Sequence, residues 1–327
     1  MYSLGLIGYP VVQSLSPQLH HGALRGLGLA GEYRLYPVPP LPEGAGQLEE
    51  MLLRLRRGEL AGLNVTTPHK LNVLPLLDEL TPAAAAIGAA NTLYLRDGRL
   101  VGDNTDAAGF RSDLERVTAA QEHQRPLVYG GVSRQRVFRA PQAQSARQMA
   151  APHRALVLGA GGAARAVVYA LLQAGRQVAV AARRLEQAQE LIADLQTQVP
   201  PGWVGPEPAL EALPMEPAAL TSRPVHLLVN ATPLGKFPDV DECPWPDDLP
   251  LPQAACVYDL LYNPPETKLM RRAREAGLQA CGGLGMLVEQ AALALELWTG
   301  QSVPRRFMWQ ALSGSEAGVG VIHYDTW

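Results

Sequence analysis

The N-terminal third of the chain carries four groups of polar side chains whose types and spacing suit ligand binding and proton transfer. Ser14 and Ser16 place two hydroxyls one residue apart. Residues 64–70 add an amide, hydroxyls and an ammonium, and residues 88–92 and 102–106 add further amides and a carboxylate. Hydroxyl, amide and ammonium groups together predict a site for a polyhydroxylated substrate that also bears a carboxylate.

Each of these groups also has a structural interpretation, because the same residue types begin helices. Ser16 and Thr67 precede prolines and are candidate N-caps, and Asp106 could cap the helix that follows it. Lys70 could be an exposed surface lysine. The histidines near these groups match no metal-binding spacing, so no metal site is predicted and three residues are interpreted as structural: His20, His21 and His69.

A second chemical signal is the glycine-rich stretch at residues 159–164, which follows an apolar run and opens a helical pattern. Such a turn lets the backbone approach a pyrophosphate at the positive end of a helix. Where an NAD-binding unit places an acid, this sequence has Ala182-Arg183-Arg184 and no acid before Glu186. A guanidinium can hold the 2′-phosphate that a carboxylate would repel. NADP is therefore the favoured cofactor, and NAD is less favoured.

The elements that must position these groups alternate between strand and helix. Helices are predicted from Ser16, from Thr67-Pro68, from the glycine-rich turn to about Ala174, and after Gly285. This order predicts an α/β chain: a substrate domain with a mostly parallel sheet, a Rossmann-like dinucleotide-binding domain, and a cleft between them. Buried strands are predicted over residues 4–8, 60–65, 155–158, 177–181, 225–229 and 255–259.

These groups occur in the order found in one family, and the chain resembles shikimate dehydrogenases over nearly its whole length. In the first half the resemblance rests on Ser14-Leu15-Ser16-Pro17, residues 64–70, Asn91-Thr92 and Asn104-Thr105-Asp106. In the second half it rests on residues 159–165, Asn230-Ala231-Thr232, residues 259–267, and residues 285–287 with 290–292.

The resemblance implies a role for each group. Lys70 and Asp106 would form the catalytic pair beside the C3 oxygen of the substrate, and Ser14 and Ser16 would hold its carboxylate. Tyr262 would close over the substrate from the other domain. The ring hydroxyls would be held by Asn64, Thr66, Asn91 and Gln290. The cofactor would be held by Gly159, Ala160, Gly161, Gly162, Ala163, Arg183, Asn230, Ala231, Thr232, Gly285 and Met286.

The implied activity is the reversible, NADPH-dependent reduction of 3-dehydroshikimate to shikimate, in the biosynthesis of chorismate and the aromatic amino acids. A hydride delivered to a ketone leaves an alkoxide. An ammonium on that oxygen stabilises the charge and donates the proton, and a neighbouring carboxylate orients the ammonium. The cleft between the domains is expected to close when the cofactor binds.

Five segments are expected. Residues 1–115 would form the substrate-binding catalytic domain and residues 154–285 the NADP-binding domain. The resemblance implies that a C-terminal helix over residues 286–312 packs back on the first domain. The Arg- and Gln-rich residues 116–153 are expected to form an insertion or linker, longer than the family's connection, and residues 313–327 a tail.

The sequence departs from the family pattern at several positions. Tyr9 stands where Asn is common, and Lys236 stands where Met is usual. Ala182 and Arg184 replace an Asn and a Thr around Arg183, which puts strict NADP preference in doubt.

Three alternatives stay open. One is a quinate or quinate/shikimate dehydrogenase of the same family that uses NAD or NADP, where Thr66 and the neighbours of Ser14 would discriminate through the extra hydroxyl of quinate. A non-catalytic ligand sensor or partner-binding protein could keep the fold, but it would not need Lys70 and Asp106 together. A folate dehydrogenase/cyclohydrolase shares the two-domain architecture, but the paired serines and residues 104–106 fit it less well.

Composition limits the partners and the compartment. The net charge of −3 argues against nucleic-acid and membrane-surface partners, so a small-molecule substrate is the expected partner. No stretch reaches the roughly 18–20 uninterrupted apolar residues of a spanning helix, and no leader is apparent. The cysteines lack paired spacing, which favours a reducing, cytoplasmic setting: Cys243, Cys256 and Cys281. A homodimer is left open.

Overall fold

The computed structural model describes residues 1–123, 154–199, 209–253 and 255–313, and the backbone alone for residues 120–123. Within these ranges the chain forms two six-stranded sheets. The first part comprises β1 (Tyr2–Gly8), α1 (Ser16–Gly26), β2 (Gly31–Pro37), α2 (Ala45–Arg56), β3 (Gly62–Val65), β4 (Glu79–Leu80), α3 (Pro82–Ile87), β5 (Thr92–Arg96), β6 (Arg99–Asp103) and α4 (Asp106–His123). The second comprises β7 (Ala155–Leu158), α5 (Gly162–Gln173), β8 (Val178–Ala182), α6 (Leu185–Leu195), β9 (Leu210–Pro214), α7 (Pro217–Leu220), β10 (Leu227–Asn230), β11 (Cys256–Asp259), α8 (Lys268–Glu275), β12 (Ala280–Gly282), α9 (Leu284–Thr299) and α10 (Arg305–Ser313).

The first sheet has the strand order β2-β1-β3-β5-β6-β4. β1 is parallel to β2 and β3, and β4 is parallel to β6, whereas β5 is antiparallel to both of its neighbours. The antiparallel pairing follows from a tight hairpin between β5 and β6. Its turn residues Asp97 and Gly98 have φ of 51° and 75°, which is the left-handed pair that a type I′ turn requires.

The second sheet is parallel throughout, in the order β12-β11-β10-β7-β8-β9. Its central strands are buried along their whole length, as expected for strands covered by helices on both faces. In each sheet the chain runs from a central strand, β1 or β7, to the neighbouring strand on one side, β2 or β8. A later strand, β3 or β10, then pairs with the other side of the central strand. Ligands bind at such switch points, outside the carboxyl ends of the strands. The predicted α/β class with a Rossmann-like second sheet is confirmed.

The C-terminal helices pack on the first sheet's helices and strands. The Trp298 indole of α9 donates to the Leu93 carbonyl at 3.2 Å, and its ring covers Gly62 of β3. The single helix expected over residues 286–312 was wrong. The segment forms two helices, because Gly300 (φ 67°) ends α9 and Pro304 precedes α10.

Two local predictions were wrong. Thr67-Pro68 does not begin a helix; residues 66–73 form turns that lead to a three-residue 3₁₀ helix at Leu74–Leu76. A helix continuing from Pro68 is interrupted at Pro75, which cannot donate to the Leu71 carbonyl and whose ring would clash with it. Ser16 is not the N-cap of α1, because the helix already includes it and Leu15 precedes it without a side-chain cap.

The expected insertion begins inside a helix. Residues 116–123 belong to α4, while the rest of segment 116–153 lies outside the described residues, as does the tail beyond Ser313. None of the helices in the described ranges has the length and hydropathy of a membrane-spanning segment.

Candidate active site

The loops that follow β1 and β3 lie side by side. The Tyr9 N–H donates to the Thr67 carbonyl at 2.9 Å. A Cβ at Gly8 would lie 2.3 Å from the Thr66 methyl group, so only glycine allows this approach. The paired serines and the segment that ends in Lys70 are therefore held together at the switch point of the first sheet.

The two predicted carboxylate-binding serines contact each other. Ser14 Oγ donates to Ser16 Oγ at 3.1 Å and accepts the Ser16 N–H at 3.2 Å. Ser14 thus accepts the N–H of the first residue of α1. Tyr33 of β2 adds a hydroxyl to this group, since its phenol contacts Ser16 and donates to Asn64 Oδ1 at 2.8 Å.

Lys70 and Asp106 form an ion pair with 2.5 Å between Nζ and Oδ2, and their side chains are only 12% and 6% exposed. Asn91 Nδ2 donates to the other Asp106 oxygen at 2.9 Å and lies 3.4 Å from Gln290 Oε1. The interpretation of Lys70 as a surface lysine was wrong. The arrangement gives a buried ammonium whose carboxylate partner is itself held by an amide.

Asn104 takes the capping role that was considered for Asp106. Its Oδ1 accepts the Ala107 N–H at 3.3 Å, and its Nδ2 donates to the Ala89 carbonyl at 2.9 Å. The Asp106 carboxylate is therefore free of capping and turns to Lys70. The interpretation of Asp106 as a helix cap was wrong.

Three polar residues near the pair were given no role in the sequence analysis: Tyr33, Thr92 and Thr105. Asn64 Nδ2 donates to the Asn91 carbonyl at 3.1 Å and to Thr92 Oγ1 at 3.2 Å. Asn91 Nδ2 also lies 3.0 Å from Thr105 Oγ1. Thr92 and Thr105 stand inside the motifs used above, so the sequence did signal them. Tyr33 had no such signal, because it lies in a strand that was not predicted.

The structural interpretation of the histidines is confirmed. His20 is fully buried and stacks on Tyr33, with ring centroids 4.1 Å apart and planes 3° from parallel. Burial is the main cause that lowers the pKa of His20 to about 3, so the ring is neutral. His21 Nε2 accepts the Tyr33 N–H at 2.9 Å, and His69 Nε2 lies 2.8 Å from the Val38 carbonyl oxygen. The described residues hold no cluster of metal-ligating side chains.

The predicted dinucleotide turn fits a pyrophosphate. Gly159 has φ of 104°, and a Cβ there would lie 3.0 Å from the Ala231 carbonyl oxygen. Gly161 is the N-cap of α5 without a side-chain cap, and nothing in the described ranges lies within 4 Å of the position of a Cβ. The space beside the start of α5 is therefore open, and the first N–H groups of a helix are available to an anionic group there.

Further predicted cofactor residues lie at the neighbouring strand ends. Asn230 Oδ1 accepts the Thr232 N–H at 2.9 Å, and Asn230 Nδ2 donates to Asp259 Oδ1 at 2.9 Å. Asp259 is completely buried, and this burial raises its pKa to about 6. Met286 is buried at the start of α9. Arg183 lies apart from this group, exposed one residue beyond β8.

The substrate and cofactor groups meet between the two sheets. A Cβ at Gly162 would lie 2.9 Å from Lys70 Cβ, so the glycine-rich turn packs directly on the lysine. The Tyr262 hydroxyl contacts Ser14 and the backbone of Leu15, and burial, the largest effect, raises its pKa. The structure therefore brings together a buried lysine–carboxylate pair, a polar pocket and a dinucleotide turn.

Comparison with known proteins agrees with this geometry. The family model for the shikimate dehydrogenase substrate binding domain matches residues 6–93, and that for the shikimate 5′-dehydrogenase C-terminal domain matches residues 283–312. The shikimate dehydrogenase (NADP(+)) of Salinibacter ruber is 42% identical over 310 residues, which cover 94% of this chain and 95% of the relative.

Solved structures show the same fold. Shikimate 5-dehydrogenase from Thermus thermophilus, in complex with NADP(H) and shikimate, has 36% identity and a TM-score of 0.71, covering 96% of this chain and 99% of its own. Quinate dehydrogenase from Corynebacterium glutamicum, in complex with NAD, has 27% identity and a TM-score of 0.75, covering 96% of this chain and 99% of its own. The sequence match covers 94% of the chain, and the fold and the geometry of the site agree with it. This chain therefore belongs to the shikimate dehydrogenase family.

Proposed function

We propose that this chain catalyses the reversible, NADPH-dependent reduction of 3-dehydroshikimate to shikimate, a step in chorismate and aromatic amino-acid biosynthesis. The observation that carries the proposal is the buried Lys70–Asp106 ion pair packed against Gly162 of the dinucleotide turn. An acid–base pair between a polar pocket and a dinucleotide turn suits hydride transfer to a ketone. The activity named for the Salinibacter relative supports the same reaction.

Lys70 is proposed as the proton donor. NADPH bound at the glycine-rich turn supplies the hydride. As the C3 ketone gains negative charge, the Lys70 ammonium donates a hydrogen bond to that oxygen and then transfers its proton. Asp106 holds the ammonium in place, and Asn91 holds Asp106 through its other oxygen at 2.9 Å. In the oxidation direction the neutral amine takes the proton back from the substrate hydroxyl.

The polar pocket is proposed to bind the rest of the substrate. Ser14 and Ser16 stand 3.1 Å apart through their hydroxyls, so both can donate to one carboxylate. Tyr262 would cover the substrate from the second sheet, where its hydroxyl already contacts Ser14. The ring hydroxyls would be held by Asn64, Thr66, Asn91 and Gln290.

Arg183 is proposed to bind the 2′-phosphate of NADP. It stands exposed just after β8, and the adjoining turn is held to the same strand because the Gly159 N–H donates to the Ala181 carbonyl at 2.8 Å. The remaining cofactor contacts would come from two places. The pyrophosphate would lie on residues 159–163, and the nicotinamide would lie near Asn230-Ala231-Thr232 and Gly285-Met286.

The test is a set of initial rates with shikimate or quinate, each with NADP⁺ or NAD⁺. Turnover of shikimate with NADP⁺ well above the other three pairs is expected. Comparable rates with quinate or NAD⁺ would assign the chain to a dual-specificity enzyme. Folded protein without turnover on any pair would favour a ligand-sensing or partner-binding protein on this fold.

A variant tests the cofactor assignment. Arg183→Ala should raise the KM for NADP⁺ about 10-fold through loss of a charge-assisted contact, while rates with NAD⁺ stay unchanged. Arg271→Ala, which changes an exposed arginine of α8, is the matched control. Equal effects of both variants would contradict the role of Arg183.

A cytoplasmic location is part of the same proposal, and the lack of a disulfide among the described cysteines fits a reducing compartment. A homodimer and the absence of nucleic-acid partners stay predictions. Sedimentation velocity, with and without added duplex DNA, would test both.

A further inference from the structure

A further buried carboxylate, Asp113 of α4, joins three elements around the cleft. Its side chain is 1% exposed. Oδ2 accepts the Tyr258 hydroxyl of β11 at 2.5 Å, and Oδ1 accepts from Arg116 at 2.6 and 3.0 Å. A Cβ at Gly285 of α9 would lie 2.0 Å from Oδ1, so only glycine allows this packing.

These contacts hold the Asp113 side chain in one position. A buried carboxylate is costly unless it is paired and hydrogen-bonded, and this one has partners on both oxygens. Burial, the largest effect, and then Asp113 raise the pKa of Tyr258, so its hydroxyl keeps the proton that it donates. Phe110, also on α4, packs edge-on against the Tyr258 ring with centroids 5.1 Å apart.

The same face of α4 reaches the catalytic pair. Asp106 lies seven residues before Asp113, about two helical turns, so both project from one side of the helix. A Cβ at Gly109 of α4 would lie 2.8 Å from the Gln290 nitrogen of α9. Because Gly109 meets Gln290 and Asp113 meets Gly285, the two helices run antiparallel in close contact. Asp113 therefore sets α4 against both β11 and the first turn of α9.

We propose that Asp113 and Tyr258 are positioning residues that fix the distance between the Lys70–Asp106 pair and the nicotinamide. The proposal rests on the proposed function, in which α4 carries Asp106 of the acid–base pair and Gly285 and Met286 of α9 approach the nicotinamide. Neither Asp113 nor Tyr258 would touch the substrate or cofactor. They would act through the placement of α4 relative to the second sheet.

The test is Tyr258→Phe, which keeps the ring and its packing on Phe110 and removes only the hydroxyl that donates to Asp113. The expected result is a fall in kcat of about 10-fold, because small misplacements of reacting groups are costly. KM for shikimate and for NADP⁺ should stay within about twofold, because the binding contacts remain. The primary deuterium isotope effect on kcat, with shikimate deuterated at the oxidised carbon, should increase as hydride transfer becomes slower.

The matched control is Arg272→Met in the second sheet's α8. Arg272 donates to the carbonyls of Trp245, Pro246 and Leu249, which belong to a loop of the second sheet, so the variant should lower Tm and leave the isotope effect unchanged. If Tyr258→Phe does not fold, Arg116→Met removes the other side of the cluster and is expected to raise the isotope effect in the same way.

The experiment distinguishes failure of the proposed function from failure of the positioning role. A wild-type enzyme that does not oxidise shikimate overturns the proposed function. An active wild type with a folded Tyr258→Phe or Arg116→Met variant of normal kcat and isotope effect overturns the positioning role, as does a variant in which only KM changes.

Discussion

The ion pair between Lys70 and Asp106 is almost entirely buried, so two opposing free-energy terms act on it. Removing charges from water is costly, and mutual attraction in the interior offsets this cost only when other hydrogen bonds complete the pair. Here Asn91 holds Asp106, whereas the ammonium is hydrogen-bonded, among the described residues, to Asp106 alone. The remaining ammonium protons can therefore point toward a substrate oxygen, which suits a proton donor better than a structural pair.

Lys70→Ala should lower kcat about 100-fold or more, because general acid–base catalysis of this kind contributes about 10²–10⁴-fold. The KM for NADP⁺ should change little, since the lysine lies on the substrate side of the turn. Steady-state rates of shikimate oxidation provide the measurement. Lys268→Ala is the control, because Lys268 forms an exposed pair with Asp247 at 2.8 Å. Unchanged turnover in Lys70→Ala would remove the lysine from the mechanism.

His20 should make the protein sensitive to acid. Its pKa is about 3 in the folded protein against the ordinary value of 6.5 for an exposed histidine, so between these values only the unfolded chain binds the proton. The stabilisation from the neutral ring should therefore be fully present above pH 6.5 and fall by about 1.4 kcal/mol per pH unit below it. His20→Phe keeps an aromatic ring on Tyr33 and should flatten this slope. Urea titrations at pH 7, 6 and 5 would show equal slopes for both proteins if the histidine were not responsible.

Single residues differ in how well the sequence reveals them. Lys70, Asp106 and the two serines stand in short motifs at strand ends, so residue type and position indicated chemistry directly. Tyr33 reaches the site by tertiary packing from β2, and nothing in its local sequence distinguishes it from a core tyrosine. The sequence does not reveal Asp113 either, because an acidic residue within a helix usually lies at the surface. Its contacts with Tyr258 and Gly285 depend on tertiary packing.

At the scale of elements, the loop after β11 depends on Asp259. Its Oδ1 accepts from Asn230 Nδ2 at 2.9 Å and from the Leu261 N–H at 3.0 Å, and its Oδ2 accepts the Thr267 hydroxyl at 2.7 Å. Thr267 is also the N-cap of α8. One carboxylate thus connects the end of β10, the Tyr262 loop and the next helix.

Asp259→Asn should change the pH dependence of stability in the opposite sense to His20. The pKa of Asp259 is about 6 in the folded protein against 3.8, so the folded state binds the extra proton between these values. Stability from this group therefore decreases as pH rises from about 4 to about 6, by about 1.4 kcal/mol per pH unit. The variant keeps acceptor capacity on Oδ1 and should lose this decrease. Unfolding by urea at pH 4.5 and pH 7 provides the comparison, and identical differences in both proteins would contradict the assignment.

Elements with strong local signals were predicted well. The central strands, the glycine-rich turn and the long apolar helix after Gly285 follow from short-range patterns, which the structure confirms. The helix expected at Thr67-Pro68 was wrong because Pro75 cannot donate to the Leu71 carbonyl and its ring would clash with that carbonyl. The antiparallel β5 escaped prediction, although Asp97-Gly98 carried the hairpin signal.

At the scale of the whole molecule, the site exists only where the two sheets meet. Lys70 comes from the first sheet and packs on Gly162 of the second, while Tyr262 of the second contacts Ser14 of the first. Sequence motifs identified each half, but the distance between the halves depends on how α4, α9 and the cleft loops pack. That distance is a property of tertiary structure and has no local sequence signal.

Closure of the cleft should be measurable, and Gln13 offers a way to weaken it. Asn263 Nδ2 donates to Gln13 Oε1 at 3.2 Å across the mouth of the cleft, at an exposed position. Small-angle scattering should give a smaller radius of gyration with NADP⁺ and shikimate bound than without them, because the ligands add contacts between the two sheets. Gln13→Ala should raise the KM for shikimate about threefold, in keeping with one exposed hydrogen bond, and leave kcat within about twofold. Identical scattering with and without ligands would mean that the two halves of the site are already fixed, and Gln13→Ala would then leave KM unchanged.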